Sequence, residues 1–187
     1  MDQGDASTPT DWTEVTGSPW GSATPKMCLF YKVFVGGESA PVTTISGSGT
    51  NLANVAQMAI YTGVGSIGAV GTASAGTGTP MTAGAITTTA DNSIVCAFCG
   101  RGDNENSSNQ SFGGPTTGVN ERLDGGTGAG NDAQVSMADI TIATSGSSSG
   151  NASSDTSATD PWISVQIELV RSTPFADARA AIRNGLD

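Results

Sequence analysis

With 187 residues the chain is long enough for one domain of ordinary size folding around its own core. Its 26 glycines, plentiful Ser and Thr and only 13% charged residues argue for many short strands and tight turns, and against a helical protein. A formal net charge of −10 repels phosphate backbones and anionic lipid, and the absence of histidine removes the commonest general base, the commonest metal ligand and every Ser-His or Cys-His dyad.

The opening residues, MDQGDASTP, are acidic and polar and lack the basic-then-apolar layout of a signal peptide, so secretion by that route is not expected. No run reaches the roughly 20 apolar residues of a membrane span. The first predicted strand is Met27 to Val35, with apolar residues on both faces and therefore covered on each side for part of its length. Val42 to Ser46 follows a Gly-Gly turn and Pro41, and Asn54 to Tyr61 alternates Val55, Gln57, Ala59 and Tyr61 with Ala56, Met58 and Ile60. Ala85 to Thr89, Ser93 to Gly100, Val119 to Leu123, Ala133 to Ala143 and Ala152 to Ser157 come next. In the last strand, Trp162 to Val170, the polar set Ser164, Gln166 and Glu168 shares a face with Trp162 and alternates with Ile163, Val165, Ile167 and Leu169, the pattern of a half-buried strand. Pro174 to Asp187 reads as a short helix, with Phe175, Ala178 and Ile182 at helical spacing. The fold class is all-β: an antiparallel two-sheet β-sandwich, jelly-roll-like, over residues 1–171, with a short helical tail over 172–187.

A pattern repeat relates 8–64 to 114–170: CLFYKVFV faces VSMADITIA, and NVAQMAIYTGV faces DPWISVQIELV. The second half is preceded by SIVCAFCG, for which the first half has no counterpart. The strand expected before Met1 therefore either lies upstream of this sequence or is donated by a neighbouring subunit.

Pro9 to Thr13, Phe30 to Lys32, Ala40-Pro41, Ala59 to Val64, Glu121-Arg122, Asp139 and the closing Trp162 to Val170 together resemble a β-sandwich domain of bacteriophage virion structural proteins, found in minor tail, fibre and head-decoration proteins. The resemblance covers roughly Thr8 to Val170. It implies a non-enzymatic protein of the particle surface, with capsid decoration preferred and a glycan-binding tail or fibre module as the alternative. It also implies self-association and, as partners, other virion proteins such as the major capsid protein or tail proteins. No cofactor, nucleic acid or membrane is implied.

Candidate chemistry is sparse. Cys96 and Cys99 form a C-x-x-C, but strand alternation puts Cys96 with Ile94 and Phe98 and turns Cys99 to the other face, so the two thiols cannot bridge. Arg101-Gly102-Asp103 spells an adhesion tripeptide, read here as turn geometry. Asp103, Asn104 and Glu105 are oxygen-rich and form a weak Ca²⁺ candidate without the ligand spacing of an EF-hand. Glu14, Glu121, Asp124 and Asp139 serve a glycosidase only if two of them face one another across about 5 to 9.5 Å. Trp12, Trp20 and Trp162, with Tyr61, are candidates for a sugar-stacking platform, against core packing as the commoner role of aromatics.

Overall fold

The two runs with the cleanest alternation lie side by side in the largest sheet. In the computed structural model, which describes residues 6–21, 25–45, 54–102, 108–112, 119–126, 133–155 and 160–172, the chain is all-β with antiparallel sheets. Its strands are β1 (Thr13–Glu14), β2 (Phe30–Tyr31), β3 (Val64–Val70), β4 (Ser74–Thr77), β5 (Met81–Ala83), β6 (Ser93–Arg101), β7 (Ser108–Phe112), β8 (Asn120–Gly126), β9 (Gln134–Ile142), β10 (Ala152–Asp155) and β11 (Pro161–Arg171). There is no helix among the described residues. The expected helical tail lies outside them.

Six strands form the main sheet in the order β3-β11-β6-β9-β8, with β4 pairing the first half of β11 where β3 pairs the second. A three-stranded sheet runs β5-β10-β7, and β1 pairs β2. Register decides the faces. Ile167↔Cys96↔Asp139 and Val165↔Phe98↔Met137 stand on one face; Gln166↔Ala97↔Ala138 and Ser164↔Cys99↔Ser136 stand on the other. The first face is covered by Val15, Trp20, Met27, Leu29, Tyr31 and Tyr61 from the N-terminal third. Against the second pack Ala83 and Ile86, Ala152 of β10, and Met81, which meets Cys99 and Trp162. Both thiols of the C-x-x-C therefore behave as small buried hydrophobes on opposite faces, as the alternation predicts.

Several expectations need correction. β11 is buried on both faces: Ser164, Gln166 and Glu168 are as inaccessible as Val165, because the three-stranded sheet and the 84–92 segment lie over them. Of Met27 to Val35 only Phe30–Tyr31 is a strand, and Val33, Phe34 and Val35 are exposed. Asn54 to Tyr61 pairs with nothing as a strand; Gln57 lies against Gly125 of β8 and Tyr61 against Cys96, so this segment straps across the sheet face until β3 begins. Ala85 to Thr89 forms no extended strand: its one β-bridge is Thr87↔Ser148, and hydrogen bonds to 146–151 and to Glu168 hold the rest. Strands β3, β4 and β5 fall in Gly/Ala/Ser/Thr-rich sequence where no strand is expected, and β7 in what reads as a loop. Among the described residues, 8–64 contains β1, β2 and the first residue of β3, and 114–170 contains β8, β9, β10 and nearly all of β11.

Candidate functional site

Asp139 is the strongest polar focus on the strap side of the sheet. It sits mid-β9, opposite Cys96 on β6 and Asn120 on β8, with its side chain 3% exposed. The register of β8 slips between Glu121 and Leu123, so Arg122 occupies a bulge and is free to aim at the carboxylate. Arg122 donates through Nε to Asp139 Oδ2 at 2.5 Å and through Nη2 to Oδ1 at 3.2 Å. Asn120 Nδ2 donates to Oδ1 at 3.1 Å, and Tyr61 Oη donates to Oδ2 at 2.6 Å. The Cys96 thiol completes the chain, donating to Tyr61 Oη across 3.6 Å.

Burial pushes the Asp139 carboxyl up, but the hydrogen bonds from Arg122, Tyr61 and Asn120 outweigh it and hold the group below its ordinary value. Burial, the neighbouring thiol and the donation to Asp139 push the Tyr61 phenol up. The Cys96 thiol is pushed up to about 12, chiefly by burial. At neutral pH the cluster is thus a thiol, a phenol, a carboxylate and a guanidinium, with both carboxylate oxygens already engaged. Its chemistry is that of a clasp: it fixes the 54–63 strap and the β8 edge to the sheet.

A second carboxylate does the same on the opposite face. Glu168 of β11 is inaccessible and accepts from Ala69 N (2.9 Å), Thr89 N (2.8 and 3.0 Å), Thr89 Oγ1 (2.8 Å), Ala90 N (3.2 Å) and Ser93 Oγ (2.6 Å). Burial raises its pKa, and these donors more than offset that, leaving it lowered. Gly68 makes the room, since a Cβ there would stand 2.3 Å from Glu168 Oε2.

The most conspicuous surface feature is apolar. From Lys32 to Thr44 the chain makes an excursion that joins no strand and returns at Ile45, which bridges Ala6. Its turn is ordered: Glu38 accepts from Val35 N at 2.7 Å and Gly36 N at 3.0 Å, and Gly36 and Gly37 hold φ of 99° and 75°. The return limb is tied by Ser7 N donating to Thr44 O at 2.7 Å. Phe34 is 72% exposed, Val35 86% and Val42 79%, with Val33 and Ile45 also exposed. Met58 and Ile60 project from the strap in the same way.

The other candidate residues are not brought together. Trp20 and Trp162 are buried in different clusters, Trp162 lying flat on Gly76 where a Cβ would come within 2.7 Å of its ring, and Trp12 is half-buried, so these three make no shared platform. Glu121 and Asp124 point from β8 to the face opposite Asp139, and Glu14 accepts from Ser18 Oγ at 2.8 Å. Arg101 is buried and lies 3.9 Å from Asp160, so the Arg of the tripeptide is not displayed. Asp103, Asn104 and Glu105 lie outside the described residues. Among those described, no group of three or more Cys, Asp or Glu could hold a metal, and no helix is long and apolar enough to cross a membrane. The two carboxylate clasps escape a reading of the sequence, which marks Glu168 as an alternating polar residue and Asp139 as a candidate catalytic carboxylate; the one signal for a clasp is that each interrupts a strongly apolar run. Comparison with protein-family models, curated proteins and solved structures finds no match for this chain.

Proposed function

We propose that the chain is a non-enzymatic structural protein of the bacteriophage particle surface, a jelly-roll-like β-sandwich present in many copies that stabilises the particle by contacts between subunits, with capsid decoration preferred over a tail appendage. The observation that carries this reading is the Lys32–Ile45 excursion, a defined turn that presents large apolar side chains to solvent. Exposed apolar surface of this kind marks contact sites for other molecules, and an assembling protein uses such surface to hold its neighbours. The packing of the three-stranded sheet on one face of the main sheet supports the sandwich. The resemblance of the Pro9–Thr13, Phe30–Lys32, Ala59–Val64 and Trp162–Val170 segments to virion domains supports the location. Asp139 and Glu168, the best shielded from water of the carboxylates among the described residues, are engaged in fastening the fold.

A cryo-electron-microscopy map of the particle encoded with this chain tests the reading. Copies on the capsid lattice, touching capsomers and one another, are expected. Density at the tail tip alone, with loops outward, replaces decoration with host recognition, and absence from the purified particle overturns both.

A further inference from the structure

We infer that the Lys32–Ile45 excursion is a self-association surface, packing reciprocally against the same excursion of a second copy of this chain. The inference rests on reading the excursion as an assembly contact, and it names the occupant.

Area is the first argument. At their exposures Val33, Phe34, Val35, Val42 and Ile45 together present roughly 500 Å², a total comparable with the apolar share of one side of a standard homodimeric interface of about 800 Å² per partner and about 65% apolar. Preorganisation is the second. The Glu38 carboxylate pins Val35 N and Gly36 N, and the Ser7–Thr44 hydrogen bond ties the return limb, so little backbone ordering remains to be done on docking.

Charge selects the partner. Lys32 and Glu38 are the only charged residues between Lys26 and Asp91, in a chain of net charge −10. A basic partner would be drawn to the acidic surface elsewhere. Two acidic copies repel everywhere except where each is neutral, and the excursion supplies both that neutrality and the apolar area. A two-fold contact is self-complementary, so Lys32 of each copy can face Glu38 of the other across the turn.

Sedimentation velocity of the purified full chain over a wide concentration range tests this. A reversible dimer is expected. Phe34→Asp and Val35→Asp should each weaken it by roughly 30-fold or more, as for centrally placed interface residues, while Phe34→Leu largely preserves it. Because these side chains lie outside the core, thermal unfolding of the variants should match the parent. A parent chain monomeric at every concentration, or a Phe34→Asp variant that dimerises like the parent, overturns the inference. Co-sedimentation with the particle separates this from the virion reading. A monomeric parent whose particle binding is lost on Phe34→Asp assigns the excursion to another virion protein, while a Phe34-dependent dimer that joins no particle removes the virion role and leaves the dimer standing.

Discussion

A carboxylate stripped of water must be given hydrogen-bond donors or a counter-charge, and Glu168 has donors only: three backbone amides and two hydroxyls. Glu168→Gln keeps the shape but replaces one acceptor oxygen with a donor, leaving amides of Thr89 or Ala90 unpaired. A loss on the order of 3 kcal/mol in urea unfolding is expected. Gly68→Ala should produce much of the same loss by a different route, since its Cβ would stand 2.3 Å from Glu168 Oε2 and displace the carboxylate. If both act through one niche, the double variant is less damaging than the sum, and full additivity would refute the shared mechanism. At the other clasp, Tyr61→Phe removes one donor from Asp139 but leaves Arg122 and Asn120 in place. A smaller loss of about 1–2 kcal/mol is expected, with Cys96 gaining reactivity toward a disulfide reagent as the strap loosens. In the parent Cys96 should stay silent at pH 8, its thiol buried and pushed up to about 12.

The strands depend on these clasps, and that dependence gives stability a pH signature. Asp139 holds β8 and the strap to β9; Glu168 holds the 84–92 segment to β11. Both folded carboxyls lie below their ordinary values of 3.8 and 4.5, so the unfolded chain takes up protons first on acidification. Their contribution is complete above those ordinary values and is lost as pH falls through the lower folded ones. The urea midpoint should therefore hold steady from pH 7 to about 5 and drop below about 4, with a shallower drop in Glu168→Gln. How much of this was legible follows from the residues involved. Ser93 to Gly100 and Trp162 to Val170 read as strands because Val, Ile, Phe and Leu alternate there, and Cys96 and Cys99 fall on the faces that alternation assigns. The second face of β11 was not legible, because Ser164, Gln166 and Glu168 look like solvent-facing residues until tertiary folding covers them, bringing Ser149 to Gln166 and Thr89 and the Ala69 amide to Glu168. β3 and β4 (VGSIGAV and SAGT) were invisible for the opposite reason. Their glycines admit the Glu168 carboxylate and the Trp162 ring, a packing requirement that strand propensity does not register. Lys32 to Val35 carries the right residues for a strand but finds no neighbour, and its apolar side chains remain outside.

Across the whole molecule, charge and apolar surface are separated along the chain. All acidic residues but Glu38 lie before Val15 or after Ala90, and the exposed apolar side chains lie between. Association through the excursion brings two bodies of net charge −10 together while placing no excess charge in the contact itself. The opposing force is then long-range repulsion, which salt screens, with a Debye length falling from about 20 Å near 0.02 M to about 4 Å near 0.5 M. The apolar contact is not weakened by that salt. Dimerisation should therefore tighten several-fold from low to high salt when followed by sedimentation at fixed pH. An interface built from the acidic surface pairing with Arg122 or Arg171 predicts the reverse, since screening removes attraction there. Dissociation on adding salt would move the contact away from Phe34 and Val35, whereas salt-driven association lost in Phe34→Asp ties the neutral stretch of sequence to assembly.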